Sequence, residues 1–354
     1  MNNDLTKSKE ERVSYLILVI PALAIYLFVM AFPVLSSIGL SFSTYPNSPK
    51  AVANRAEADR LREMQGEYIY TQWDQELSQA ERDEAAEMVQ SLDAEIRKLT
   101  NVNMFNQVNH SFGGIRAYKE VLTDDFFYLA LKNNLLIVLI SVFGQIPLGF
   151  FLAYILSRGL IKGTDFFQAM IYIPNVISAV IIGILFKNFF LGSQSVLLEF
   201  QKQFNPDAMY IPSGADLYAV LAVILWMYTG IYMLIFLANL QKIDVSIIEA
   251  SKIDGASEGQ TLRYIILPAL SGVIVTCAIL AISGSLKSFD LIFVMTEGRP
   301  AHTTSVLSIY MYLKAFRGAP NYPVANAIST IMVVICFILI GITRFIEKRF
   351  STGD

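Results

Sequence analysis

Two groups of residues in this 354-residue chain combine side-chain chemistry with a spacing that could use it. The first is Glu249-Ala250-Ser251-Lys252-Ile253-Asp254-Gly255, followed after nine residues by Ile265-Ile266-Leu267-Pro268. It is polar and patterned within an otherwise apolar chain, which suits a docking surface. The second is aromatic and hydroxylic: Trp226, Tyr228 and Tyr232 on one apolar stretch, and Ser283, Ser285 and Ser288 on the next, with Lys287 and Asp290 near its outer end. Aromatic rings stack on the apolar faces of sugar rings and hydroxyls supply hydrogen bonds. This set suits a polyhydroxylated solute, and it equally suits packing between helices. Asn133, Asn134 and Gln145, on a separate apolar stretch, read as hydrogen bonders between helices.

No catalytic constellation accompanies them. His110 and His302 are the only histidines, far apart in sequence, and neither has metal-ligand or catalytic spacing. No GxxxxGK[ST] phosphate loop is present, so the chain should not hydrolyse ATP alone. Cys277 and Cys336 both fall in apolar spans and give no disulfide framework. A net charge of −3 carries no basic footprint for nucleic acid.

The positioning elements follow from composition. With 54% hydrophobic residues, 16% charged residues and a mean hydropathy of +0.49, the chain is an integral membrane protein. Uncharged stretches cover Val13 to Pro49, Asn133 to Ser157, Phe166 to Phe186, Leu217 to Gln241, Tyr264 to Leu286 and Gly318 to Thr343. Each matches or exceeds the roughly 20 residues that carry a helix across about 30 Å of hydrocarbon. Strands of a membrane barrel would alternate polar with apolar, whereas these runs are apolar on all faces. The expectation is an all-α membrane fold of six transmembrane helices.

Lys and Arg are biased toward the cytoplasmic side in short loops. With the N-terminus inside, the inner segments 1–13, 157–165, 240–266 and 344–354 hold 11 Lys and Arg in 60 residues, against 4 in 60 for the outer loops 189–215 and 291–323. Both termini and the Glu249 loop therefore belong in the cytoplasm. Apolar residues continue through Phe32-Pro33-Val34 without a small-residue cleavage site, which reads as a retained helix.

Three parts follow: residues 1–49, the cytoplasmic N-terminus and first span; residues 50–125, an extracytoplasmic helical insertion; and residues 126–350, a five-helix core with the Glu249 loop at 241–268. The insertion region carries most of the outer charge, 9 Lys and Arg against 15 Asp and Glu over 43–129. Ala51 to Met64 and Gln75 to Leu99 favour helix, and Met88, Leu92, Ile96 and Leu99 recur at helical spacing. Two antiparallel helices joined near Gly66 to Trp73 would bury their stripes against each other. The hairpin is either a packed element with a solvated charged face or a docking platform for an extracytoplasmic partner.

Within the Glu249 loop, Asp244 can cap a helix over Val245 to Ile253, and Gly255 suits a left-handed stop. Ser257-Glu258-Gly259-Gln260 has capping-box spacing for a second helix, with Pro268 near the start of the following span. Glu249 and Asp254 face water or a partner, since hydrocarbon would penalise them.

This stretch resembles the EAA loop of membrane subunits of binding-protein-dependent ABC importers, whose pattern is Glu-Ala-Ala, three residues, Gly, nine residues, Ile, one residue, Leu-Pro. The chain matches at Glu249, Ala250, Gly255, Ile265, Leu267 and Pro268, with Ser251 in place of the second Ala. From average residue usage six such matches arise by chance with a probability on the order of 10⁻⁵ to 10⁻⁴. Ile253 to Ser257, Phe289-Asp290-Leu291 to Thr296, and Ile173-Pro174-Asn175 are similar to the carbohydrate-importer branch, in particular the larger permease of the maltose transporter. The resemblance covers 13–49 and 112–350. Glu297-Gly298-Arg299-Pro300 stands where that branch has a glycine-rich turn ending in Pro.

The resemblance implies a type I ABC importer permease of a bacterial or archaeal cytoplasmic (inner) membrane, carrying a sugar or oligosaccharide. Its partners would be a second homologous permease, two cytoplasmic ATPase subunits that bind ATP and Mg, and an extracytoplasmic solute-binding protein; the chain itself would bind no cofactor and no nucleic acid. Glu249, Ala250, Ser251, Asp254, Gly255, Ala256, Leu267 and Pro268 would form the ATPase-coupling element. ATP-driven closure of the ATPase pair would rock the spans between inward-facing and outward-facing states. Trp226, Tyr228, Tyr232, Ser285 and Ser288 would line the substrate path. Alternatives are the same machinery carrying a polyol, a glycerol-phosphate or another polar solute, and, more remotely, a membrane receptor or scaffold.

Overall fold

Apolar runs with few internal breakers satisfy their backbone polar groups within themselves, which in this chain makes long helices interrupted mainly near proline. The structure is a computed structural model describing residues 19–44, 57–58, 60–62, 64–66, 68–69, 78–100, 111–158, 162–191, 195–205, 215–298, 303–317 and 321–351. His110, His302, Arg299, Pro300 and the joint proposed over 70–73 lie outside the described residues. Among the described residues four helices are long and apolar enough to cross a membrane: α1 (Val19–Ser41), α4 (Asp125–Ser157), α8 (Ala215–Leu240) and α14 (Tyr322–Ser351). The other two expected spans are bent pairs. α5 (Thr164–Val176) and α6 (Ala179–Phe190) meet at 92°, and α10 (Glu258–Ala269) and α11 (Ser271–Leu286) at 66°.

The bends have local causes. Pro174 lies inside α5, and Ile177 and Ser178 take extended ψ angles of 142° and 131°, which no helix accommodates. Leu270, two residues after Pro268, leaves the helical region at φ −95° and ψ 4°. Widened π-helical turns at Leu27–Ala31, Ser141–Gln145 and Leu262–Ile266 each end two residues before a proline, at Pro33, Pro147 and Pro268. A proline ring displaces the carbonyl four residues back, and the widened turn absorbs that displacement.

The chain divides into two compact units, residues 1–123 with 311–330, and residues 124–310 with 331–354. In the first, α1 exposes Phe28, Phe32 and Leu35, as lipid contact would require. A short antiparallel ladder pairs β1 (Ser43–Thr44) with β2 (Ser111–Phe112), and Gly113 N–H donates to the Phe42 carbonyl at 2.8 Å. The insertion thus leaves and returns at one point. α3 (Arg116–Thr123) buries Ala117 and Val121, and the hydroxyls of Tyr118 and Ser41 lie 2.6 Å apart.

α2 (Gln79–Thr100) begins later than the expected Gln75. Ser78 and Glu81 cap its start reciprocally, with Ser78 N–H donating to Glu81 Oε2 at 2.9 Å and Glu81 N–H to Ser78 Oγ at 3.4 Å. The carboxylate's bonds to Ser78 hold Glu81 below its ordinary pKa. The described residues between 57 and 69, Gly66 among them, are helical. Gln65 Nε2 donates to the Val89 carbonyl at 3.2 Å, linking the two helical stretches. Leu92 and Ile96 are buried with Ala58 and Ala85, while Met88 is exposed. The buried stripe therefore includes Ala85 in place of Met88.

In the second unit the core joins α4, α8, α10 and α11 through Ile146, Ala153, Met233, Phe236, Leu270, Cys277 and Ala281. Gly230 permits the closest approach: a Cβ there would meet the Ile171 carbonyl oxygen and come within 2.9 Å of Tyr172 Cα. α8 and α5 therefore pack backbone to backbone, as small residues allow in membrane helices. The C-terminal part of α14 packs Ile335, Leu339 and Ile340 on Val138, Ile282 and Leu286.

Buried polar groups stitch this unit together. Asn133 Nδ2 donates to the carbonyls of Thr303 and Ser305, each at 2.8 Å. Asn134 Nδ2 donates to the Ser285 carbonyl at 3.0 Å while its Oδ1 accepts from Leu307 N–H at 2.7 Å, at the start of α13 (Leu307–Phe316). These asparagines bridge segments, as their position on an apolar helix predicts.

Candidate functional site

Residues 244–268 form two helices about a glycine corner. α9 (Val245–Ile253) starts at Asp244, whose Oδ1 accepts from Ser246 N–H at 2.9 Å. That bond, with a smaller contribution from the Ser246 side chain, holds the Asp244 carboxyl below its usual range. α9 ends in a Schellman turn: Ala256 N–H donates to the Ser251 carbonyl at 2.9 Å and Gly255 N–H to the Lys252 carbonyl at 3.1 Å. Gly255 takes φ +80°, a left-handed conformation that L side chains disfavour, although a Cβ there would meet nothing within 4 Å. α10 then opens on a complete capping box, Ser257 N–H to Gln260 Oε1 at 2.7 Å and Gln260 N–H to Ser257 Oγ at 3.4 Å.

The corner is locked from inside. Ser251 Oγ donates to the Ile248 carbonyl at 2.8 Å and lies 3.1 Å from Thr261 Oγ1, with both residues buried. Glu249, Ala250 and Asp254 are exposed, and Ala256 and Leu267 are half-buried. Val245, Ile247 and Ile253 are exposed apolar side chains on the same element, Ile253 at 86%. Asp254, Gly255, Ala256, Gln260, Thr261 and Tyr264 line an open depression of about 300 Å³. A rigid element with carboxylates, protruding aliphatic side chains and a concave flank suits protein docking. Pro268 is exposed beyond the depression and belongs to the bend. Thr261 is the residue that sequence reasoning missed; its one signal was a hydroxyl one helical turn into α10, ten residues after Ser251.

The second site is a cavity of about 210 Å³ between α4, α8, α11 and the start of α12 (Asp290–Thr296). Tyr228, Tyr232, Ser285 and Ser288 line it together. Gln145, read from sequence only as a bonder between helices, lines it too. Its Nε2 donates to the Ile224 carbonyl at 2.8 Å, which leaves its oxygen for the cavity. Ser285 Oγ donates to Ser141 Oγ at 3.0 Å, so its hydroxyl also ties α11 to α4. Trp226 is not brought in. Two residues from Tyr228 on one helix means a rotation of about 200°, and Trp226 is half exposed with its ring centroid 5.3 Å from that of Phe186. Ser283 likewise does not line the cavity.

Residues 145–352 match the family described as the inner membrane component of binding-protein-dependent transport systems. The multiple sugar-binding transport system permease protein of Streptococcus mutans is 34% identical over 244 residues, 69% of this chain and 82% of that protein. The lactose transport system permease protein of Rhizobium radiobacter is 32% identical over 234 residues, 64% and 78% of the two chains. A probable ABC transporter permease of Pyrococcus horikoshii is 30% identical over 238 residues, 66% and 80%. Among solved structures, a chain of a bacterial ABC transporter involved in import of the acidic polysaccharide alginate superposes with a TM-score of 0.60, at 22% identity, over 68% of this chain and 85% of that one. That likeness concerns the fold.

Proposed function

The chain belongs to the family of binding-protein-dependent transport system inner membrane components, and from that premise we propose that it carries a sugar or oligosaccharide across the cytoplasmic membrane as one permease subunit of an ATP-driven importer. It is a multi-pass membrane subunit, and ATP hydrolysis resides in partner subunits of such transporters. The sugar cargo is supported by the names of its relatives, which include a multiple sugar-binding and a lactose system, and by a cavity of aromatic rings and hydroxyls.

The observation that carries the reading is the Gly255 corner. A Schellman stop, a capping box and a buried hydroxyl pair make a stiff knob whose exposed face holds Glu249, Asp254 and Ile253. In this proposal the knob sits in a cleft of an ATPase subunit and passes its closure to α10 and α11. Both termini and residues 241–268 lie in the cytoplasm, and the insertion lies outside beside the solute-binding protein. A second, homologous permease, two ATPase subunits holding ATP and Mg, and the binding protein complete the assembly. Tyr228, Tyr232, Ser285 and Ser288 contribute to the solute path, while Trp226 lies outside their cavity.

The test is uptake in proteoliposomes holding the assembled complex, with its binding protein and ATP on opposite sides of the membrane. Radiolabelled sugar bound by that protein should accumulate only with ATP. ATP-dependent accumulation of a non-carbohydrate solute in its place would overturn the sugar cargo.

A further inference from the structure

The neck of the insertion carries an apolar stripe that the first unit does not bury. α3 turns Ala117 and Val121 inward, and both are buried. Its outer side is not simply polar. Ile115, whose carbonyl accepts from Lys119 N–H at 3.0 Å and so opens the helix, is 58% exposed, and Leu122 is 49% exposed. Seven residues apart at about 100° each, the two fall within about 20° of one another and about 120–140° from the buried face. Lys119 lies beside them and Arg116 further round, both exposed. Phe112, on β2 just before this helix, is 85% exposed. An apolar stripe flanked by cations is the composition of a helix that lies in a membrane interface.

Partners on two spans fix the depth of α3. α1 ends at Ser41, whose Oγ lies 2.6 Å from the Tyr118 hydroxyl, and the ring of Phe42 lies 5.2 Å from that of Tyr118. α14 starts after Asn321, whose Oδ1 accepts from Val324 N–H at 3.4 Å while its Nδ2 donates to Glu120 Oε1 at 3.2 Å. The two spans are themselves joined by Ser37 Oγ donating to Asn326 Oδ1 at 2.6 Å. α3 is therefore tied to the end of one membrane-spanning helix and the start of another, at the level where hydrocarbon gives way to headgroups. The lipid-facing side chains of α1, among them Phe32, Leu35 and Leu40, lead up to that level. Aromatic and aliphatic side chains held there have an apolar phase to enter, with cations beside them to meet phosphate.

We propose that α3 and the turn from Phe112 to Ile115 form an interfacial anchor on the lipid bilayer. Phe112, Ile115 and Leu122 enter the acyl boundary, and Arg116 and Lys119 reach lipid phosphates. Charge favours lipid as the occupant. Glu120, the one acidic residue of α3, is bonded to Asn321, which leaves the exposed face basic, whereas α2 further out in the insertion carries Glu81, Asp83, Glu84 and Glu87. The anchor holds the paired strands β1 and β2, through which the insertion leaves and returns, at the bilayer surface. The leaflet is the outer one in the orientation proposed above, and the anchor is independent of the cargo.

The test is photocrosslinking in the assembled complex, with its binding protein present, in nanodiscs of radiolabelled phosphatidylglycerol and phosphatidylcholine. The photoreactive residue p-benzoylphenylalanine replaces Phe112, Ile115 or Leu122 in turn, with Phe28 on α1 as the lipid-facing reference and Glu87 on α2 as the aqueous one. Irradiation should attach labelled phospholipid to this chain from all three neck positions, within about threefold of the yield at Phe28 and at least about tenfold above that at Glu87. With the probe at Ile115, the preference for phosphatidylglycerol over phosphatidylcholine should fall at least about threefold in the double variant Arg116→Gln, Lys119→Gln. Crosslinks to the binding protein or to another subunit in place of lipid overturn the anchor and make this face a protein-docking surface. Label no higher than at Glu87 overturns it as well, and an unchanged lipid preference in the double variant overturns the phosphate contacts. None of these outcomes bears on the sugar cargo, which the uptake measurement tests separately.

Discussion

Ser251 Oγ and Thr261 Oγ1 lie 3.1 Å apart in the buried angle between α9 and α10, joining the two arms of the Gly255 corner by side chains ten residues apart. Ser251 has a second partner in the Ile248 carbonyl, whereas this contact is the one hydrogen bond of the Thr261 hydroxyl to a described residue. The two are therefore unequal. Ser251→Ala strands a buried hydroxyl and should cost about 1–3 kcal/mol, while Thr261→Val should cost less, and the double variant should resemble Thr261→Val alone. A double-mutant cycle on thermal unfolding of the purified complex measures the coupling; additive losses would show that the pair is not joined.

Two glycines make opposite demands. Gly255 needs its φ of +80° and has open space around it, so Gly255→Ala should cost about 1–2 kcal/mol through backbone strain, and Gly255→Asn less. Gly230 has a helical backbone but no room, so Gly230→Ala must push α8 from α5 and should destabilise the fold by about 1–3 kcal/mol or more. Melting temperatures in one detergent, with ATPase stimulation measured alongside, separate the effects. Gly255→Ala should lose coupling more than stability, and Gly230→Ala should lose both.

Asn134 holds two backbone groups at helix ends, the Ser285 carbonyl in the last turn of α11, which also accepts from Ser288 N–H at 3.2 Å, and the Leu307 N–H at the start of α13. Asn134→Leu would leave the buried Leu307 N–H without that partner, at about 1–3 kcal/mol, while the Ser285 carbonyl keeps Ser288 N–H. Thermal unfolding should show a loss well beyond that of Leu135→Ala, a substitution on the exposed face of the same helix.

The Asp244 cap should be sensitive to acid. Its carboxyl is depressed by the Ser246 N–H first, so its stabilisation of α9 is present above the ordinary carboxylate pKa and is lost as pH falls through the depressed value. Carboxyl-selective NMR should find Asp244 titrating below exposed aspartates, and Asp244→Asn should keep the cap and remove that pH dependence.

Much of this was legible in the sequence because it is local. Asp244, Gly255 and the Ser257/Gln260 box act within four residues of themselves, so propensity and capping rules place them. The long apolar spans are legible for the same reason. The bends in α5–α6 and α10–α11 were not, because a hydropathy window sums across Ile177 and Leu270 without registering a change of ψ. Trp226 was grouped with Tyr228 by residue type, though helical rotation turns the two apart. Thr261 and Gln145 acquire their roles from partners ten and 79 residues away, and such pairings depend on packing that no local pattern records.

The most direct test of the central claim is ATP hydrolysis by the purified complex in nanodiscs, with and without sugar-loaded binding protein, for wild type and Gly255→Pro. Proline cannot take φ +80° and removes the N–H that bonds to the Lys252 carbonyl, so the corner itself is what the substitution removes. Stimulated hydrolysis in wild type, and an ATPase subunit that is lost or no longer stimulated in Gly255→Pro, is the predicted result. Unaltered stimulation in Gly255→Pro would contradict it, and would mean that the motor does not act through this corner.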